Sequence, residues 1–247
     1  DLNTDLKPRC YFYSLVLWST TYFPALRGMI LKLRFLKGYH YLIVMGILAM
    51  LLFFLRWRFN TLPLLNAVAT TGFTEISLEV VVLISFQVFY GYVYHELAVL
   101  ITAFMLGLAM GSLIFHKYTI QPLTRWLFFL QAGLSLLCLL WLGITYGLHQ
   151  YKSLLHYPYL FNLLFPLFLG CTGLLGGIQF LTASETYRSL GKNIKETAAT
   201  FYSTDLLGSA LGALLTSLVF LPLLGIPATL ILLAGLNLMA LILLFFY

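Results

Sequence analysis

Seven long apolar runs, punctuated by basic residues and prolines, constrain this chain more than any other feature. They cover Tyr41–Trp57, Asn66–Tyr94, Leu97–Phe115, Trp126–Leu148, Tyr159–Ala183, Ala198–Leu221 and Ala228–Tyr247. A helix needs roughly 20 apolar residues to cross the hydrocarbon core of a bilayer. All but the first run reach that length. Composition excludes the soluble alternative: 61% of the residues are hydrophobic, 9% are charged, and the mean hydropathy is +0.95. Soluble domains have roughly 45–50% apolar and about 25% charged residues. The sequence therefore predicts an all-α integral membrane protein of about seven transmembrane helices, spanning 40–247 and preceded by a basic juxtamembrane segment within 1–39.

Punctuation between the runs agrees with this division. Pro63, Pro122 and Pro158 sit between or at the start of spans, and Pro222 and Pro227 bracket a turn containing Gly225. Pro166 falls inside the fifth span, where a kink is tolerated if neighbouring groups satisfy the backbone. Basic residues in short loops mark the cytoplasmic side. Arg56, Arg58, Lys117, Arg125, Arg188, Lys192 and Lys195 share one side, and only Lys152 lies in the loops of the other. The expected location is a bacterial inner membrane, with the C-terminus cytoplasmic. Lys7, Arg9, Arg27, Lys32, Arg34 and Lys37 precede the first span and conflict with this orientation if that span truly crosses. Residues 11–36 lying along the interface, or a re-entrant first span, would remove the conflict; a true first span is the reading kept here.

The third and sixth spans are alike. Leu106-Gly107-Leu108-Ala109-Met110-Gly111 parallels Leu207-Gly208-Ser209-Ala210-Leu211-Gly212, each with a GxxxG spacing. Glycines at that spacing let helix backbones approach closely, and Gly173 and Gly177 provide a further such surface. Three helices separate the two motifs. That spacing suits a 3+3 arrangement of the last six helices, in which an odd-numbered repeat inserts with inverted topology.

Ionisable residues at lipid depth cost roughly 2.5–3.5 kcal/mol each on insertion scales, so each requires a reason. Glu75 and Glu79 lie one turn apart, with Gln87 further along the same helix, and Asp205 lies near the start of the sixth span. One reading makes Glu75, Glu79, Gln87 and Asp205 a polar site between the second and sixth helices, binding a cation or relaying protons. Carboxylates so placed in low dielectric resist joint ionisation. The other reading puts Glu75 near the interface, Asp205 at a helix start and Glu79 in an internal hydrogen bond. The five histidines fall at or beyond span ends, which argues against haem ligation. Three scattered cysteines form no metal or redox motif. No nucleotide-binding loop or catalytic triad is present, and the basic residues do not form a nucleic-acid surface. Neither a catalytic centre, a metal site nor a cofactor is expected within this chain.

Three stretches carry a family resemblance. Asn3-Thr4-Asp5-Leu6-Lys7-Pro8 with Tyr11-Phe12-Tyr13 and Leu17-Trp18 is one. Gly72-Phe73-Thr74-Glu75-Ile76-Ser77-Leu78-Glu79 with Phe86-Gln87 and Tyr90-Gly91-Tyr92-Val93-Tyr94 is the second. The Gly-rich third and sixth spans, with Leu221-Pro222-Leu223-Leu224-Gly225, are the third. Together they resemble the C-terminal membrane half of membrane-integrated spermidine synthase-like proteins. The resemblance implies a membrane domain that anchors an upstream aminopropyltransferase-like domain. It also suits the intramembrane site to a polyamine or another cation. Any aminopropyl transfer would lie upstream of residue 1, because the donor-binding loop and catalytic acid of that family have no counterpart here. The opening Asp1-Leu2-Asn3 reads as the continuation of a longer or processed chain. A non-enzymatic scaffold subunit of a larger membrane complex and half of a secondary transporter are the rival readings. The expected partners are the lipid bilayer, the upstream domain and other membrane subunits.

Overall fold

The computed structural model describes residues 5–7, 9–22, 40, 46–47, 50–51, 53–55, 58–59, 61–91, 94–117, 123–151, 158–191 and 193–245. Among these the chain is helical, without a strand. The elements are α1 (Arg9–Tyr22), α2 (Leu62–Phe89), α3 (Tyr94–Lys117), α4 (Leu123–Gln150), α5 (Pro158–Arg188), α6 (Ile194–Leu215) and α7 (Leu221–Phe245). A π-helical turn, Thr216–Phe220, joins the last two. The expected first span, Tyr41–Trp57, and the basic stretch from Arg27 to Lys37 lie wholly or largely outside the described residues.

Among the described residues, five stretches are long and apolar enough to cross a membrane: Leu62–Phe89, Tyr94–Lys117, Leu123–Gln150, Phe161–Arg188 and Ile194–Phe245. The chain is thus a helical integral membrane protein. The fifth stretch has 52 residues. At 1.5 Å per residue a straight helix of that length would run about 78 Å, far beyond a core of roughly 30 Å. It breaks at Gly225, whose backbone takes φ 81° and ψ 177°. That φ belongs to the left-handed half of conformational space, which glycine enters without a Cβ penalty.

Most helices run a few residues beyond the spans read from the sequence, and two breaks between spans fall differently. The second span does not run to Tyr94: α2 ends at Phe89, and Gly91 at φ 110° turns the chain before α3 starts. The turn expected across Pro222–Pro227 is confined to Gly225, with helix on both sides. Proline at the first positions of a helical segment loses little, because those N–H groups lack intrahelical partners anyway. Pro63 stands at such a position in α2, and Asn193 caps α6 by accepting from Glu196 N at 2.7 Å.

The bundle is organised by cross-pairing. Helix α3 packs along α5, α2 along α6, and α4 against α7. Glycine sets the first two contacts. A Cβ on Gly107 or Gly111 would run into the backbone carbonyls of Gly170 or Leu174 on α5, and one on Gly173 or Gly177 into those of Phe104 or Leu108 on α3. On the other pair, a Cβ on Gly208 or Gly212 would strike the carbonyls of Ala69 or Phe73. Gly72 likewise abuts Asp205. One constant shift along the sequence carries Gly107 against Gly170, Gly111 against Leu174 and Gly173 against Phe104 onto Gly208 against Ala69, Gly212 against Phe73 and Gly72 against Asp205.

Large apolar side chains such as Leu106, Met110, Leu113, Leu136, Leu140, Leu163 and Leu167 face outward, as contact with lipid requires. An aromatic core fills one end of the bundle. Phe86, Tyr90, Trp141, Phe161, Phe165 and Phe168 pack with ring centroids 4.4–5.6 Å apart. Such spacings add attraction beyond area burial. Leu6 O accepts from Ile226 N at 3.0 Å, and Asp5 Oδ2 lies 3.3 Å from His149 Nδ1, so residues 5–7 dock at the Gly225 break. Lys117, Arg125, Arg188 and Lys195 mark the opposite helix ends.

Replacing Gly107 or Gly208 by alanine should lower stability by about 1–3 kcal/mol, the usual cost of overpacking a closed contact. Gly143, with no atom within 4 Å of an added Cβ, should accept alanine without loss. Thermal unfolding of the purified protein in one detergent checks both, and equal effects at Gly107 and Gly143 would contradict the packing described.

Candidate functional site

The ionisable residues of the second and sixth spans come together only in part. Glu75 sits midway along α2 and is 6% exposed; Asp205, on α6, is partly buried. Both line a cavity of about 190 Å³ between α2, α3, α5 and α6. Thr71, Ser112, Gln179 and Tyr202 add polar groups to its wall, and Val68, Leu108 and Phe180 add apolar ones. Glu79 and Gln87, one turn and about three turns beyond Glu75, are partly buried on α2 and do not line this cavity.

Glycines make the room for both carboxylates. A Cβ on Gly176 would occupy the position of the Glu75 carboxylate, and one on Gly72 would collide with Asp205 Oδ1 and Ser209 Oγ. Nearby, Gly177 serves the backbone contact with α3 while also lining the cavity. Glycine thus has two uses here: Gly107, Gly111, Gly173, Gly177, Gly208 and Gly212, the ones read as packing devices, bring helices together, and Gly72 and Gly176, which were not, hold space for acidic side chains.

Glu75 Oε1 is buried and has no hydrogen-bond partner, and the same holds for Gln179 Oε1. Such atoms are rare in folded proteins because an unpaired buried polar group costs about 1–3 kcal/mol. Two of them line one cavity that also holds a second carboxylate. A buried carboxylate is stable only when it is paired, hydrogen-bonded or neutral. Either protonation of the carboxyl groups or a positive partner in the cavity would meet that requirement.

Beside the cavity runs a ladder of buried side chains that crosses four helices. Gln179 on α5 donates through Nε2 to Gln131 Oε1 on α4. Gln131 Nε2 donates to Asn237 Oδ1 on α7 at 2.7 Å, and Asn237 Nδ2 donates to Thr74 Oγ1 on α2 at 2.8 Å. Ser135 donates to the Ala234 carbonyl at 3.2 Å, and Thr216 to Ser77 Oγ at 2.8 Å. Gln131, Gln179 and Asn237 are fully buried. None of the three stands out by charge; each is a lone amide in an apolar run. The signal that could have found them is the same one that found the acids, since any polar group at lipid depth requires a partner.

A second, larger cavity of about 590 Å³ lies toward the helix ends that carry the basic residues. Glu185, Arg188, Ile194 and Thr197 line part of it, and it shares Phe180 and Tyr202 with the inner cavity. Glu185 is tied to Arg188 by a two-point ion pair. Among the described residues, no group of three or more His, Cys, Asp or Glu side chains could hold a metal ion. Cys138 is buried and unpaired, and Cys10 and Cys171 are exposed thiols. Compared with protein-family models, curated proteins and solved structures, the chain matches none.

Asn237→Leu should destabilise the bundle by about 1–3 kcal/mol, because Gln131 Nε2 then loses its acceptor. Ser135→Ala, which removes one donor to a carbonyl already bonded within its helix, should cost less. The order of the two unfolding midpoints in detergent checks the ladder, and a reversed order would contradict it.

Proposed function

We propose that this chain is a transporter-type membrane domain that binds a small cation in the cavity between α2, α3, α5 and α6. The observation that carries this reading is the pair of carboxylates, Glu75 and Asp205, lining a shared cavity with a buried, unpartnered oxygen on Glu75. A cation would offset the cost of burying them, as an anion or an apolar ligand would not. The outer cavity supplies a path of entry from the basic helix ends, with Phe180 and Tyr202 between the two chambers. The aromatic core at the opposite end of the bundle fits a closed far side.

In this reading the last six helices cross the membrane as two inverted sets of three, α2–α4 and α5–α7. The matching contacts of α3 with α5 and of α2 with α6, related by one shift in sequence, support it. So does the contact of α4 with α7, the third helix of each set, through the Gln131–Asn237 bond. Binding near the junction of two such repeats is how many secondary transporters hold substrate. The resemblance to spermidine synthase-like membrane proteins supports a polyamine as one candidate cation and an upstream domain as one candidate partner. The docking of residues 5–7 at the end opposite the basic residues would put such a domain on that side.

The test is binding of 1,4-diaminobutane to the purified protein in lipid nanodiscs by calorimetry. Wild type should bind, and Glu75→Gln with Asp205→Asn should lose at least about tenfold in affinity, the equivalent of roughly 1.4 kcal/mol. Glu185→Gln should bind as wild type does. Unchanged binding by the double variant would remove the proposal.

A further inference from the structure

The amide ladder has a direction, and that direction ends in the cavity. Asn237 Nδ2 donates to the carbonyl of Leu233, one turn earlier on α7, at 2.8 Å. A carbonyl can only accept, so Asn237 must turn its amino group that way and its Oδ1 toward α4. Gln131 therefore donates to Asn237 and presents its own Oε1 to α5. Gln179 in turn donates to Gln131, which leaves its Oε1 as the free end. Each amide fixes the next, from a backbone carbonyl on α7 to the wall of the cavity. Gln179 and Glu75 both line the cavity, and each keeps an Oε1 without a hydrogen-bond partner.

The geometry points to Gln131 and Asn237 as positioning residues that lock Gln179 as a hydrogen-bond acceptor, so that the cavity selects an alkylammonium ion carrying N–H donors over cations without them. This rests on the reading of the cavity as a cation site and specifies its ligand class. An ammonium head can donate to Glu75 Oε1 and Gln179 Oε1 together, with the second carboxylate, Asp205, in the same wall. Hydrogen bonds with a charged partner are about twice as strong as neutral ones. The volume of about 190 Å³ is far more than a bare metal ion fills. Its apolar and aromatic wall, from Val68, Leu108, Phe180 and Tyr202, suits an alkyl chain and the face of a cation.

The experiment compares n-butylammonium, tetramethylammonium and sodium as probes, by calorimetry on the whole chain in lipid nanodiscs. Wild type should bind n-butylammonium at least about tenfold more tightly than tetramethylammonium or sodium, as the loss of a charge-assisted hydrogen bond implies. Gln179→Met and Gln131→Leu should bring the ratio of n-butylammonium to tetramethylammonium close to one while tetramethylammonium binding stays as in wild type. Gln131→Glu, which still offers Gln179 an acceptor, should keep the preference. Persisting tetramethylammonium binding shows that a variant is folded; if Gln131→Leu binds neither ion, Gln179→Met alone decides. An unchanged ratio in Gln179→Met, or no preference in wild type, would overturn the ladder's role and leave the cation site standing. If wild type binds none of the three ions, the cation site itself fails and the proposal falls with it.

Discussion

Close backbone contact at glycine is the constraint on which the rest of this bundle depends. Lipid offers apolar helices no hydrophobic reason to associate, so packing and interhelical hydrogen bonds must hold them. In α3 and α5 the contact is glycine on both sides; in α2 and α6 it is Gly208 and Gly212 on α6 against Ala69 and Phe73, with Gly72 on α2 against Asp205. These two pairs set the spacing of four helices, and the cavity is the space left between them. Had bulkier residues separated α2 from α6, Asp205 would not reach the cavity that Glu75 lines. Gly176 then serves a different purpose, leaving room for the Glu75 carboxylate, and Gly72 leaves room for both the carboxylate and the backbone carbonyl of Asp205.

The hydrogen-bond ladder complements this packing. Glycine contacts are permissive about rotation, whereas a bond from Gln131 to Asn237 fixes which faces of α4 and α7 meet. Thr74 and Gln179 extend the same network to α2 and α5. Buried polar networks rigidify a core when every member is satisfied and are costly where one is not. Here the ladder is satisfied along its length and open at Gln179 Oε1, on a residue that lines the cavity. A ligand with donors would complete it.

Much of this was legible in the sequence, for physical reasons that differ from residue to residue. Apolar runs and flanking charges report the solvent of each segment, so the helices followed from them. GxxxG spacing reports close approach but not the partner. Gly107 and Gly208 were matched as motifs, yet each packs on a different helix rather than on the other. Glu75 and Asp205 were visible because charge at lipid depth is rare. Glu79 shares a face of α2 with Glu75 but lies about 6 Å further along the helix, and it does not line the cavity. Gln131, Gln179 and Asn237 were not read, because a single amide in an apolar run carries no charge and its partners lie on other helices. The family resemblance has no support from the comparisons with known proteins and stands on residues alone.

The most direct test is chemical labelling of the acids by a lipid-soluble carbodiimide, which reacts with carboxyl groups in apolar surroundings, followed by peptide mass mapping. The structure predicts labelling at Glu75 that 1,4-diaminobutane slows strongly, with Glu185 insensitive to the amine. Labelling of Glu75 at the same rate with and without the amine, or protection confined to Glu79, would contradict a cation site built around Glu75 and Asp205.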